Sequence, residues 1–453
     1  MTSLRREHGF EALRVEGTVP ARLRGTLYRV GPGRFEAPGD PEGRRYGHAF
    51  EADGAICAVR FEDGTAWGSH RLVQSRELVE ERRAGRPLYG SVAPWHRRLL
   101  NGLRMRAKNA ANTNLMHHDG RLFALYEVSR PTQIDPNSLE TRGERDLGGA
   151  LRGSTFSAHP HRVAARQAQY NFGIRYGARC ALELFELPDR AGARHLASLP
   201  LEEPVMLHDF VATERHLVFF VSPAIIRRAR ALLGLNPFAE LVGWEPGRGS
   251  EVIVVPIDAP EAPCRFRVDA FYQWHFAGAF DVEDGVVVDA VTYPDLATLE
   301  ALSGGVDGLE GGVLTRHRID LRRQHLSREP LDDRPVEFPQ LDPRHAGGAY
   351  RRLWLVGSDQ LLQLDLSGDG AGAARRHPVS PALHASEPIF VPRSPDAEEG
   401  DGWVLTLVYD ERSDTSHVAI LDTRRFEDEP VARVWFDHHI PLTFHGLWQP
   451  ARA

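Results

Sequence analysis

A chain of 453 residues with 55 Lys and Arg against 62 Asp and Glu carries a formal net charge of −7, which excludes a general binder of nucleic-acid phosphates. Its apolar fraction of 42% and charged fraction of 26% are those of a globular protein with ample chain for a large core, and exclude disorder as the main state. No run approaches the roughly 18 apolar residues that span a bilayer, and the N-terminus lacks an apolar signal core, so a soluble cytoplasmic protein is expected.

Taken in chain order, the sequence is a succession of short β-rich runs at 122–126, 216–221, 252–255, 286–291, 353–356 and 404–408. Turn groups separate such runs: His118-Asp119-Gly120, Asp284-Gly285, Ser367-Gly368-Asp369-Gly370 and Asp401-Gly402, each read as supplying the positive φ of a tight hairpin. No Pro/Gly/Ser linker divides the chain, so one domain over residues 1–453 is expected, with closed all-β architecture. Short strands along nearly the whole length point to a β-propeller, although no fixed repeat of roughly 40 to 50 residues is visible.

One stretch departs from this pattern. After Ser222 as N-cap and Pro223 at the first helical position, Ile225, Ile226, Ala229, Leu232 and Leu233 recur at helical spacing with Arg227, Arg228 and Arg230 facing elsewhere, which predicts a basic amphipathic helix ending near Gly234. It runs on into Leu235, Pro237, Phe238, Leu241 and Trp244, and a second basic and apolar stretch occupies residues 95–106. Two roles suit such segments: an apolar face buried on the domain itself, or a patch formed with Phe238 that dips into an anionic membrane surface.

Cys57, Cys180 and Cys264 stand far apart with no Cys-x-x-Cys pair, so neither a disulfide framework nor a thiolate zinc site is supported. Histidine, with 21 copies, occurs at roughly twice the average usage. Four of these histidines adjoin apolar or aromatic residues: His159, His208, His275 and His445. Their wide spacing suits ligands gathered at the axis of a closed radial fold and is unlike the compact His-x-x-x-His of a helical zinc site.

Seven stretches, in order, resemble the carotenoid cleavage oxygenase family: residues 23–33; Ala111-Asn112-Thr113-Asn114 with residues 120–127; Ala158-His159-Pro160; Leu207-His208-Asp209-Phe210; Glu337-Phe338-Pro339; residues 386–392; and Phe444-His445-Gly446-Leu447-Trp448. The resemblance implies a seven-bladed β-propeller, with a few short helices and loops capping an axial non-haem Fe(II) held by His159, His208, His275 and His445. It implies outer carboxylates at Glu127, Glu337 and Glu387, leaving His159 as the ring without one, and a Thr113 that crowds an open iron position. Four neutral imidazoles suit a ferrous ion, and carboxylates behind them would fix each ring's tautomer. The chain departs from the family pattern at Gly278, where an Asn is usual, which makes His275 the least secure ligand. In lignostilbene-cleaving members the residue before the first carboxylate is a lysine that binds the phenol; here it is Tyr126, which can itself hydrogen-bond a hydroxyl. The implied activity is O2-dependent cleavage of a carbon–carbon double bond in a carotenoid or apocarotenoid to two carbonyl products, with a stilbenoid or phenylpropenoid alkene as the alternative. Isomerase chemistry without O2, and a propeller that has lost catalysis and serves as a binding scaffold, complete the alternatives.

Overall fold

The computed structural model describes residues 2–40, 43–234, 238–303, 310–367 and 374–451, with the side chain of Phe238 left aside. Seven antiparallel sheets follow one another as the blades of a propeller. Blade 2 is Asn114–His118, Arg121–Leu125, Thr132–Ile134 and Thr141–Glu144; blade 3 is His161–Val163, Ala168–Arg175, Cys180–Pro188 and Arg194–Leu201. Blade 4 is Val211–Ala212, His216–Val221, Ser250–Pro256 and Cys264–Val268. Blade 5 opens with Tyr272–Val282, Gly285–Tyr293 and Gly312–Asp320 and shares the long strand His325–Leu341 with blade 6. That strand pairs with Gly312–Asp320 as far as Val336, then from Glu337 onward with Arg352–Val356; Gln360–Asp365 and Ala374–Pro378 complete blade 6. Blade 7 runs through Ile389–Pro392, Gly402–Asp410, Thr415–Asp422 and Ala432–Trp435, and blade 1 through His445–Pro450, Gly25–Arg34, Asp53–Glu62 and Thr65–Leu72.

Both chain ends serve the ring closure. The C-terminal strand pairs with Gly25–Arg34 in blade 1, while N-terminal strands Arg14–Gly17 and His8–Ala12 add outer edges to blades 7 and 1. Each blade is covered by its neighbours on both faces, so successive side chains of one strand enter different cores. Val404 packs with Trp354 of blade 6, whereas the adjacent Leu405 packs with Leu27 of blade 1. Leu217 joins Phe172 of blade 3, and the adjacent Val218 joins Val288 of blade 5. This two-sided burial explains why the strands read as continuous apolar runs rather than as alternating ones.

All six runs singled out in the sequence lie in strands except for Tyr126, which follows Arg121–Leu125. The turn reading holds at Asp119 (φ 49°) and Gly120 (φ 71°). At Asp284-Gly285 and Asp401-Gly402 it fails, because neither glycine has positive φ. They are glycines for close approach: a Cβ at Gly285 would stand 1.8 Å from the Ile319 carbonyl oxygen, and one at Gly402 would stand 2.1 Å from that of Val391. The group at 367–370 lies largely outside the described residues.

The helix expected over 222–234 is corrected to a strand followed by a single helical turn. Ala224–Ile226 pairs with Val242–Trp244, so the β-branched Ile225 and Ile226 are drawn into an antiparallel ladder that overrides the helical spacing. Ser222 is not a cap; its Oγ lies 3.3 Å from Gln273 Oε1. Helix α1 (Arg76–Ala84) and helix α2 (Trp95–Leu103) precede this region, and α3 spans only Arg228–Leu232. Helices α2 and α3 meet at glycines, where a Cβ on Gly102 would stand 2.4 Å from the Leu232 carbonyl oxygen.

Candidate metal centre

His159, His208, His275 and His445 converge: one ring nitrogen of each lies within 4.8 Å of the others. His159 and His208 sit in the segments that lead into blades 3 and 4, His275 on the inner strand of blade 5, and His445 at the start of the inner strand of blade 1. Behind them stand Glu127 after the second strand of blade 2, Glu337 on the inner strand of blade 6 and Glu387 at the inner edge of blade 7. Each of the seven blades thus supplies one member. A radial fold assembles what is 318 residues apart in sequence, from Glu127 to His445.

The outer carboxylates set the tautomers. His275 Nδ1 donates to Glu337 Oε2 at 2.6 Å and His445 Nδ1 to Glu387 Oε1 at 2.8 Å, while His208 Nδ1 contacts Glu127 Oε1. A carboxylate can only accept, so the opposite Nε2 of each neutral ring carries a lone pair. His208 Nε2 and His275 Nε2 then face each other at 3.3 Å, and the buried His159 Nε2 has no hydrogen-bond partner among the described residues. Lone pairs facing one another in a buried site repel unless a cation lies among them, so the residues fit a metal ion. His159 alone is without a carboxylate; its backbone N–H is held by Ser157 Oγ at 3.1 Å. Burial holds the His159 and His445 imidazoles well below their ordinary range, hence neutral and able to bind metal. Burial also pulls on His275, but the charge and hydrogen bond of Glu337 outweigh it and leave a net upward shift.

Several positioning residues escaped the motif reading. Arg29, buried in blade 1, donates from Nη1 to Glu387 Oε2 at 2.6 Å, and Gln340 Nε2 donates to Oε1 at 2.9 Å. Tyr293 OH donates to Glu337 Oε1 at 2.6 Å. Asp209 accepts from His161 Nε2 at 2.8 Å and from the Phe276 backbone N–H at 3.0 Å, tying the His208 segment to the strand that carries His275. Phe338, with φ 51° at an irregularity of its strand, lays its ring on His275 with centroids 5.1 Å apart. That unfavourable backbone geometry for a non-glycine residue sits at the site itself.

Gly278 does not displace His275. The site of a Cβ there is filled by Leu341 Cδ2 and Tyr350 Cε1, both 2.7 Å away, so glycine at 278 admits the Tyr350 ring, whose hydroxyl donates to buried Asp289 at 2.6 Å. Thr113 is buried, with its hydroxyl 3.2 Å from Asn112 Oδ1 and no hydrogen bond to the four rings. Tyr126 is buried beside Glu127 and makes no side-chain hydrogen bond among the described residues. It lines a cavity of about 1160 Å³ that runs from Glu127 and Leu207 to Asn101, Gly102 and Leu232 at helices α2 and α3. Phe50, Trp274 and Phe444 form an aromatic wall beside His208, with the Trp274 and His208 centroids 4.7 Å apart.

Of the apolar patch, Leu232 and Leu233 are 44% and 52% exposed, and Trp95, Leu103 and Met105 are 70%, 63% and 61% exposed. Ile225 and Ile226 are half-buried, Leu235 and Pro237 lie outside the described residues, and so does the side chain of Phe238. The basic rim is weaker than the sequence implies, because Arg230 pairs with Glu240 at 2.9 Å. No described helix is long and apolar enough to cross a membrane.

Known proteins resemble the chain over nearly its full length. Apocarotenoid-15,15'-oxygenase of Synechocystis sp. is 31% identical, covering 96% of this chain and 92% of the relative. Isoeugenol monooxygenase of Pseudomonas putida is 28% identical over 96% and 94% of the two chains, and lignostilbene-alpha,beta-dioxygenase isozyme III of Sphingomonas paucimobilis is 27% identical over 99% and 95%. The crystal structure of cobalt-substituted Synechocystis ACO superposes with a TM-score of 0.90 at 30% identity, covering 99% and 97% of the two chains. The sequence model of the retinal pigment epithelial membrane protein family matches residues 1–450, and with four histidines gathered on a seven-bladed propeller the chain belongs to that family, the carotenoid cleavage oxygenases.

Proposed function

We propose that the chain is one catalytic domain over residues 1–453, a non-haem Fe(II) dioxygenase that cleaves a carbon–carbon double bond of an apocarotenoid or carotenoid with O2 to give two carbonyl products. The observation that carries this reading is the set of four imidazoles, three backed by carboxylates, next to a cavity whose lining includes Glu127, Ser157 and Leu207. His159, His208, His275 and His445 would hold the ion, and iron, when bound, supplies the binding and activation of O2 beside the alkene. The chain's own part is electrostatic and geometric. Glu127, Glu337 and Glu387 keep the Nδ1 protons in place, and Arg29 offsets one of the three negative charges, so that with a divalent ion the buried assembly is neutral. The cavity selects the bond to be cleaved by how deep an elongated substrate can lie.

The relatives named for isoeugenol and lignostilbene keep an aryl-alkene substrate open, and the Tyr126 hydroxyl, free on the cavity wall, favours it. The test is product analysis by mass spectrometry after incubating iron-loaded protein with apocarotenals and hydroxystilbenes. The first reading expects paired carbonyl fragments from the polyenes, little changed in Tyr126→Phe. Cleavage of hydroxystilbenes alone, falling roughly 10-fold or more in Tyr126→Phe through loss of a buried hydrogen bond, would transfer the assignment to the aryl alkene.

We further propose that the patch formed by Trp95, Leu103, Met105, Leu232 and Leu233 contacts a membrane surface from which an apolar substrate enters. Support comes from its concentration: among the described residues, five of the six exposed large apolar side chains lie on it, and Leu232 and Met105 also line the cavity. Apolar insertion would dominate, at about 1.5 to 3 kcal/mol for each fully buried leucine, with about 1 kcal/mol for each unpaired arginine near anionic lipid. Leu232→Glu with Leu233→Glu should lower sedimentation with anionic liposomes at least 10-fold while leaving cleavage of detergent-dispersed substrate intact. Undiminished liposome binding would remove the membrane role.

A further inference from the structure

Charge on the cavity wall is unevenly matched. Among the described residues six cationic ones line it, and three of these have carboxylate partners: Arg76 with Glu77 at 2.6 Å, Arg106 with Glu80 at 3.0 Å and Lys108 with Asp53 at 2.8 Å. Arg98, Arg130 and Arg228 have no carboxylate at ion-pairing distance among the described residues. Arg130 and Arg228 are exposed, so water can serve them. Arg98 differs, because it is partly buried on helix α2 and its Nε is buried without a hydrogen-bond partner among the described residues. Other partly buried guanidiniums are matched, such as Arg316 by Asp289 at 2.8 Å and Arg393 by Asp422 at 2.6 Å.

Glu51, also on the wall, feels the charge of Arg98 but is already held by the Ser91 backbone N–H at 2.8 Å and the Ser91 hydroxyl at 2.6 Å. Burial raises the Glu51 carboxyl, and the Ser91 hydrogen bonds, then the charges of Lys108 and Arg98, oppose it. Burial likewise raises the Tyr126 hydroxyl, and Glu51 adds to that effect, so Glu51 lies within electrostatic reach of both Arg98 and Tyr126. Much of the remaining wall is apolar, with Ala110, Val128, Ile174, Met206 and Val242 on the same space. A guanidinium beside an apolar cavity favours a planar anion, because a carboxylate takes two of its N–H groups in parallel. A neutral aldehyde or alcohol end would leave the charge desolvated and unpaired.

We propose that Arg98 is a specificity residue that pairs with the carboxylate of an acid-ended substrate, so that the preferred alkene is an apocarotenoic acid or another elongated alkene carrying one carboxylate. Arg228, at the start of α3 on the same cavity, adds a second positive charge that attracts the anion. The acid end then stays at helices α2 and α3 while the apolar body extends toward the wall formed by Ser157 and Leu207. The distance from that anchored end fixes which double bond is presented. Turnover of such a substrate rests on the cleavage reading; its binding does not.

The experiment compares an apocarotenoic acid with the apocarotenal of the same length on iron-loaded protein, measuring kcat and KM for each and, separately, affinity by quenching of tryptophan fluorescence in the same detergent. The expected result is a KM and a dissociation constant at least 10-fold lower for the acid. Arg98→Met should bring the acid-to-aldehyde ratio near one through the acid's KM, and Arg98→Lys, which keeps the charge without the planar fork, should fall between; the lysine variant serves if the methionine variant does not fold. Acid-selective binding that is lost in Arg98→Met, with cleavage of neither compound, would uphold the inference and overturn the cleavage reading. Equal affinity for acid and aldehyde in the parent, an acid preference unchanged in both variants, or equal loss of both compounds in Arg98→Met would overturn the inference whatever the fate of cleavage.

Discussion

Arg29→Met should destabilise the protein by about 3 to 5 kcal/mol, the usual consequence of leaving one member of a buried ion pair alone. Arg29 and Glu387 are each almost fully buried, and the guanidinium donates to Glu387 Oε2, to Thr443 Oγ1 and to the Phe444 carbonyl oxygen. It therefore ties the inner edge of blade 7 to the strand that presents His445. Burial already raises the Glu387 carboxyl, with Arg29 the main opposing influence, so losing the arginine pushes it further in the same direction and weakens the negative charge behind His445. Guanidinium unfolding, read as a shift in midpoint at unchanged slope, measures the effect. Arg29→Met combined with Glu387→Gln should recover part of the stability while metal retention stays low. A loss below 1 kcal/mol for Arg29→Met would show that this pair does not hold the two blades together.

Glu337→Gln should speed metal loss to a chelator by roughly 10 to 100-fold, the usual effect of removing a carboxylate behind a metal-binding histidine. The amide keeps the size and the hydrogen bond from Tyr293 but cannot supply the charge that stabilises His275. Glu127→Gln and Glu387→Gln should act in the same direction, and His159, which has no such partner, sets the comparison. Retention and turnover equal to the parent in all three variants would mean that the carboxylates are structural alone.

His159, His208, His445 and the three carboxylates are legible because each sits in a short local motif such as Leu207-His208-Asp209-Phe210, and His275, outside those motifs, is legible only from its apolar and aromatic neighbours. The residues that position them were not. Arg29 reaches Glu387 across 358 positions, and Asp209 reaches the Phe276 backbone across 67; nothing in local composition marks such contacts. The strands were readable from their apolar runs, but His325–Leu341 serves two blades and the N-terminal strands edge blades 7 and 1, which hides any repeat. Residues 222–234 misled because helical spacing of Ile225, Ile226 and Ala229 is compatible with a strand once Val242–Trp244 offers its edge. Gly278 misled in the opposite sense, since the departure from the family pattern is matched by the Tyr350 ring that fills its place.

The most direct measurement is iron per chain after anaerobic purification and ferrous loading, paired on the same samples with O2-dependent cleavage of an apocarotenal, for the parent and for His159→Ala, His208→Ala, His275→Ala and His445→Ala. The account predicts one iron at the four-histidine centre of the parent with two carbonyl products per alkene consumed, and loss of both iron and cleavage in each variant. A parent that binds no iron, or any one of the four variants that keeps full iron and full turnover, would contradict it.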